Sequence, residues 1–459
     1  MAETDRKNLW LKLSQEKEEE VFEFAKGYKN FMDNNRTERE FIRGTAAELQ
    51  AAGFKELDEF EELQTGDKVY VQNREGAILA AVIGKNKLNA GLKIVGAHVD
   101  SPRIDLKPKP LFEEKELAFF TTHYYGGVRK YQWVTIPLAL RGVAVKEDGT
   151  KLDISIGMDP EDPIFYITDL LPHFAKDQNE KKLSEAIDAA QLNSLVGTKP
   201  VTDQDEKEPV KKALLNLIKE EHDLEEEDLI SAELQLVPAN LARDVGLDRT
   251  LLAAYGHDDR SCSYTALQAL LELEQAPEET AVMLLVDREE VGSMGNTGMQ
   301  STFFENTIAK FLNLTEGSYS DLDLRQTLEN STALSGDVTQ AFDPDYPESS
   351  SKHNAPYLNQ GVVMTPYTGA RGKGGSSEAS AEFKAYIRGI WNKANLTWQA
   401  AEMGAVDKGG GGTIAQFLAN YNLDVLDCGP AVLSMHAPYE VISKADLYMT
   451  KEAYRTYYL

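Results

Sequence analysis

Five short apolar runs in this chain end on imidazole or carboxylate side chains. His98 and Asp100 follow LKIVGA, Asp258 and Asp259 follow LLAAYGH, and Glu289 and Glu290 follow VMLLVDR. Asp337 follows STALSG and His436 follows PAVLSM. In open α/β sheets ligands gather beyond the carboxyl ends of strands, so side chains at such positions can converge on one cleft. Imidazole and carboxylate together form the donor set that suits zinc, manganese or cobalt. Two such ions about 3.5–4 Å apart need a bridging carboxylate, terminal ligands on each ion and a free carboxylate that deprotonates water. The inventory meets that need. His98 with Glu290 or Asp337 serves one ion, and His436 with the remaining carboxylate serves the other. An aspartate of the 258/259 pair lies between them, and one glutamate is left as base. Asp100, two residues past His98, is placed to accept the imidazole's other N–H and so fix its tautomer.

Each fragment is weak alone. Adjacent acidic pairs recur at Glu61-Glu62, Glu113-Glu114 and Glu278-Glu279. The Glu289-Glu290 pair stands apart because it follows a run that reads as a buried strand and precedes the glycine-rich GSMGNTG. The two cysteines, Cys262 and Cys428, form no CxxC pair and cannot build a zinc site by themselves.

These positions need a scaffold, and the hydrophobic periodicity outlines one. Residues 16–32 and 37–52 show helical spacing, the second opening with a capping-box pattern, Thr37-Glu38-Arg39-Glu40. Residues 68–71, 76–83 and 92–97 read as strands, the last apolar enough for a buried central strand. From about residue 106 to 236 the texture changes. Strand-like LAFFTTHYY and WVTIPLALRGVAV come first, then the charged KDQNEKK, TDQDEKEP and EEHDLEEED. From residue 253 helices and strands alternate to the end. The expected organisation is an α/β domain over 1–105 and 237–459, interrupted by an inserted module at 106–236.

Composition narrows the function classes. With 48 Lys+Arg against 75 Asp+Glu, the formal charge of −27 repels nucleic acid and anionic membranes over most of the surface. The first twenty residues hold no apolar h-region and no run of about 18 apolar residues occurs, which reads as cytoplasmic. The Gly409–Gly412 run invites a phosphate-loop reading, but Lys408 precedes the glycines and the Gly-Lys-[Ser/Thr] ending is absent.

The segments GAHVDSPRIDLKPKP, HDDRSCSYTALQAL, VDREEVGSMGNTG, SGDVTQAF and PAVLSMHAPYE span nearly the whole chain. In this order they resemble the aspartyl aminopeptidase family of di-metal exopeptidases. The resemblance implies a three-layer helix-sheet-helix catalytic domain with an inserted, mainly β dimerisation or lid domain. It implies two divalent ions per subunit, zinc first, with cobalt or manganese as substitutes. His98, Asp258 and Asp337 would hold one ion, Asp258, Glu290 and His436 the other, and Glu289 would be the general base. It further implies dimers assembled into a dodecamer, with His173 in ITDLLPHFAKDQ reaching a neighbouring subunit's active site. Arg371 and Lys373, in TGARGKGG, lie where the family recognises an acidic N-terminal side chain. One departure is the replacement of the family's Asp-Arg pair, a few residues after YYGG, by Thr135-Ile136.

The function expected is metal-dependent removal of the N-terminal residue of peptides, with a preference for Asp or Glu. The alternatives are an aminopeptidase of neutral or basic preference, another metallohydrolase such as a phosphoesterase or deacylase, and a non-catalytic peptide-binding scaffold.

Overall fold

A computed structural model describes residues 8–203 and 205–459. Residues 1–7 of the N-terminal stretch read above, and Gln204 within TDQDEKEP, lie outside the described residues. The chain divides into two units. The larger comprises the chain up to Ser101, Ala242–Met435 and Glu440–Leu459; the smaller comprises Pro102–Leu241 with the four residues His436–Tyr439.

The larger unit opens on two helices, Gln15–Asn34 and Glu38–Ala51. Ser14 caps the first by accepting the Lys17 N–H, and Thr37 and Glu40 form a reciprocal capping box on the second. Each such cap satisfies amide groups that the helix cannot, a contribution of about 1 kcal/mol.

Behind these helices lies a nine-stranded sheet. Its four middle neighbours are Thr280–Val286, Leu92–His98, Thr332–Gly336 and Asp424–Gly429, all parallel. Lys55–Glu56, Lys68–Asn73 and Ala77–Val82 extend one side, and Val362–Thr365 and Trp398–Ala400 extend the other. Alternation explains why the middle strands read as unbroken apolar runs. Ala281, Met283 and Leu285 enter the core on one face, and Val282, Leu284 and Val286 the core on the other. Helices cover both faces: His257–Leu271 and Lys444–Tyr458 on the first, Phe303–Glu316 and Asp321–Glu329 on the second. The result is a helix-sheet-helix α/β fold. Because three parallel neighbours end together, His98, Glu289-Glu290 and Asp337 leave the same edge of the sheet.

Two of the five strand ends belong elsewhere. Leu251–Ala254, which precedes Asp258, and Ala431–Leu433, which precedes His436, lie in a separate five-stranded sheet. Within it Leu251–Ala254 pairs antiparallel with Glu440–Ser443, and Glu440–Ser443 with Ala431–Leu433.

The smaller unit is built on a seven-stranded sheet whose neighbouring strands all pair antiparallel. LAFFTTHYY is its strand Leu117–Tyr125. WVTIPLALRGVAV is not one strand: pairing begins at Leu138, and Thr135 takes a left-handed φ of 61°. Strand propensity in Trp133–Ile136 yields there to a turn.

Candidate metal centre

His98 closes the strand Leu92–His98 and is buried, 1 % exposed. Its Nδ1 faces only oxygen acceptors, Asp100 O at 3.1 Å and Asp100 Oδ1 at 3.2 Å, so this nitrogen carries the proton. Its Nε2 faces Asp258 Oδ1 at 3.3 Å and Glu289 Oε2 at 3.9 Å. A ring nitrogen this close to carboxylate oxygens calls for a cation between them, a proton or a metal ion. The spacing fits one: two ligand atoms at about 2.0–2.1 Å from a tetrahedral zinc stand about 3.3 Å apart.

Ligand atoms of His98, Asp258 and Asp337 all lie within 4.8 Å of one another, and so do those of Asp258, Glu290 and His436. Asp258 is common to both groups. Glu289 belongs to neither, although it adjoins Glu290 and approaches His98 Nε2. His436 follows Met435 directly, in the turn between two strands of the larger unit, so this hairpin sets its position.

The electrostatics point the same way. Burial lifts the Asp337 carboxyl well above its usual range, and Asp259, Asp258 and Glu289 raise it further. Burial does the same to Asp259, with Asp258 adding repulsion. Burial lowers the His98 imidazole, but Asp100 and Asp258 outweigh it and hold the pKa well above the ordinary value. So many carboxyl groups crowded out of water are an unfavourable arrangement that divalent cations relieve. The donor set therefore fits the metal site that the motifs implied.

Asp100 is fully buried and does more than meet His98. Its Oδ1 accepts the Glu289 N–H at 3.1 Å and its Oδ2 the Glu290 N–H at 3.2 Å. The loop that carries both glutamates is closed at its base by Asp287, which accepts from Arg288 N–H and from the Thr297 hydroxyl. Glu440, 1 % exposed, accepts the Asp258 N–H at 3.0 Å. Sequence reading assigned no role to Asp287 or Glu440. Each lies within a motif quoted above, but nothing in its spacing marks it.

Three predicted residues lie apart from these groups. Arg371 and Lys373 are exposed and line a cavity of about 190 Å³ with Tyr367 and Glu402. Lys373 Nζ pairs with Glu378 at 2.7 Å and sits 4.0 Å from the Tyr367 ring centre. His173 is exposed on the turn Pro172–Phe174 of the smaller unit, beside exposed Leu170, Leu171 and Phe174. His257, left without a role by the sequence, is a structural residue. Its Nδ1 accepts from the Tyr28 hydroxyl at 2.8 Å and its Nε2 donates to Leu252 O at 3.1 Å, while burial lowers its pKa to about 4.

Known proteins share this architecture end to end. The probable M18 family aminopeptidase 1 of Clostridium acetobutylicum is 48% identical over 455 residues, 98% of this chain and 97% of that protein. A solved aminopeptidase (M18 family) from Thermotoga maritima superposes with a TM-score of 0.95 at 44% identity, covering 99% of both chains. A more distant neighbour, the S. cerevisiae mApe1 dodecamer, is 21% identical with a TM-score of 0.75, covers 94% of this chain and 95% of its own, and shares the fold. The family model described as aminopeptidase I zinc metalloprotease (M18) matches residues 31–458. The aspartyl aminopeptidase resemblance is thereby upheld, since that family is M18: the chain belongs to the M18 family of zinc metalloproteases and is a metallo-aminopeptidase.

Proposed function

We propose that this metallo-aminopeptidase works with two zinc ions per subunit and prefers acidic N-terminal residues. His98, Asp258 and Asp337 would hold one ion, Asp258, Glu290 and His436 the other, with Asp258 as the bridge. The observation that carries this reading is the sharing of Asp258 between two compact ligand groups that leave Glu289 out. Divalent ions held there supply Lewis acidity toward the peptide carbonyl and make water more acidic.

The remaining steps belong to the chain's own groups. Glu289 Oε2 stands 3.9 Å from His98 Nε2, close enough to the centre to take a proton from the attacking water. The same carboxyl then returns that proton to the leaving amine. Asp100 keeps Glu289 in place through the backbone N–H and His98 through its ring.

Acidic preference rests on Arg371. Lys373 is engaged by Glu378 and the Tyr367 ring, whereas Arg371 has no ion pair among the described residues and lines the cavity beside Tyr367. For His173, exposure among exposed leucine and phenylalanine side chains suits burial against a second copy, where the imidazole would meet that subunit's substrate. The smaller unit would be the dimerisation module, and dimers would assemble to a dodecamer, the state in which the distant S. cerevisiae mApe1 was solved. No helix among the described residues is long and apolar enough to cross a membrane. The expected compartment is the cytoplasm.

The test is hydrolysis of Asp, Glu, Leu and Lys chromogenic amides by chelated protein, before and after addition of Zn²⁺, Mn²⁺ or Co²⁺. Metal-dependent release led by Asp and Glu, and lost selectively in Arg371→Glu, supports the proposal. Release led by Leu or Lys discards the acidic preference.

A further inference from the structure

The two polypeptide segments that bring His98 and Asp258 together are bonded to each other by a compact set of buried hydrogen bonds. The His98 N–H donates to Asp259 Oδ2 at 3.4 Å, and the Ser263 hydroxyl donates to the His98 carbonyl at 2.6 Å. One residue on, Arg260 Nε donates to Val99 O at 2.9 Å. In return the Ser101 hydroxyl donates to Asp258 O at 2.7 Å. Ser101, Asp259, Arg260 and Ser263 are all 0 % exposed. The end of the strand Leu92–His98 is thus fixed against the first turns of the helix His257–Leu271 by side chains from that helix. Gly256 makes the close approach feasible: its φ is 79°, and a Cβ there would lie 2.8 Å from Ser101 Oγ and 3.0 Å from Arg260 Nη1.

We infer that Ser263 is a positioning residue for the metal centre: its hydroxyl, on the His98 carbonyl, sets the separation of His98 Nε2 from Asp258 Oδ1. This rests on the ligand assignment proposed above. Asp258 and Asp259 have non-helical backbone angles, and Ser263 lies on the helical segment that follows them, so it touches His98 while being joined through the chain directly to the bridging carboxylate. The hydroxyl fixes a ligand's main chain rather than its ring, which distinguishes it from Asp100. Groups that orient ligands in this way typically change metal affinity by about 10–100-fold when removed.

The experiment measures Zn²⁺ affinity by competition with a chromophoric chelator, together with thermal unfolding of the chelated protein, for wild type, His98→Ala, Ser263→Ala, Ser263→Cys and Ser101→Ala. Ser263→Ala is expected to bind the ion assigned to His98 about tenfold less tightly or worse, with Ser263→Cys intermediate because its thiol is a weaker donor. Ser101→Ala tests the reciprocal bond and keeps the idea open to refutation where Ser263→Ala does not fold; it too is expected to lose affinity. Unchanged affinity with lower stability of the chelated protein would show a purely structural serine and overturn the inference. His98→Ala separates the two readings: if it retains both ions the ligand assignment itself fails, whereas loss in His98→Ala without loss in the serine variants fails only the positioning role.

Discussion

Asp100 Oδ1 accepts the backbone N–H of Glu289 at 3.1 Å while lying 3.2 Å from His98 Nδ1, so one buried carboxylate holds both a candidate ligand and the candidate base. Its second oxygen takes the Glu290 N–H at 3.2 Å. Three donors converge on one side chain, and the loop Asp287–Thr297 is thereby tied to the end of the strand Leu92–His98.

This geometry predicts the effect of Asp100→Asn. The amide retains one acceptor oxygen, but its NH₂ must face one of the donors now satisfied, leaving a buried N–H unpaired at a cost of about 1–3 kcal/mol. Metal affinity should fall by about 10–100-fold and kcat with it, because the base moves with the ligand. Competition titration with a chelator, alongside kinetics at saturating metal, measures both; a variant with unchanged kcat at saturation would show that Glu289 keeps its place without Asp100.

Glu289→Gln separates ligand from base. Glu289 lies outside both ligand groups, so metal content should remain at the wild-type level by elemental analysis. Turnover should drop by about 10²–10⁴-fold, the usual range for loss of a positioned acid–base group. If instead Glu289→Gln loses metal while Glu290→Gln keeps its metal and loses turnover, the two glutamates have exchanged roles.

The particular residues show what the chain's pattern reveals and what it hides. His98, Glu289-Glu290 and Asp337 were legible because parallel strands buried on both faces are mostly apolar, so imidazole and carboxylate side chains at or just beyond their ends stand out, although the pattern does not separate Asp287, which is structural, from the glutamates after it. Asp258 and His436 were found the same way, although their strands belong to the smaller five-stranded sheet rather than the main one. Periodicity reports that a strand exists but not which sheet it joins. Ser263 and Asp259 were not legible as partners of His98, since their bonds join residues 165 and 161 positions apart. A serine within a buried helix carries no mark of the carbonyl it meets. Trp133–Ile136 misled for the opposite reason: its residue types favour a strand, and only tertiary context turns the chain there.

Asp427 predicts a pH dependence of stability away from the metal centre. Burial pushes its carboxyl up to about 6 from the ordinary 3.8, against a hydrogen bond from the Thr413 hydroxyl that holds it down. Between those values the folded protein binds the proton more tightly than the unfolded chain does. The stabilisation is therefore complete below about pH 3.8, is lost as pH rises through about 6, and changes little above. The span corresponds to about 3 kcal/mol. Asp427→Asn should remove this slope: relative to wild type, the variant should be more stable at pH 7.5 than at pH 4.5. Denaturant midpoints of chelated protein at the two pH values give the difference directly; a difference independent of pH would mean that Asp427 is ionised throughout.

Thr135 should be a site where substitution stabilises. It is exposed, its φ is 61°, and its N–H donates to Ile167 O at 2.9 Å. A β-branched residue in the left-handed region is sterically disfavoured, by about 1–2 kcal/mol, whereas asparagine visits that region readily. The hydrogen bond uses only the backbone, so Thr135→Asn keeps it and relieves the crowding at Cβ. Glycine relieves it as well but adds freedom to the unfolded chain, which offsets part of the gain. The order of stability expected is Asn above Gly above Thr, with a gain of about 0.5–1 kcal/mol for Asn, read from urea unfolding followed by tryptophan fluorescence. Trp133, buried two residues away, is one of the four tryptophans that contribute to the signal. Equal or lower stability in Thr135→Asn would show that the threonine makes a compensating contact.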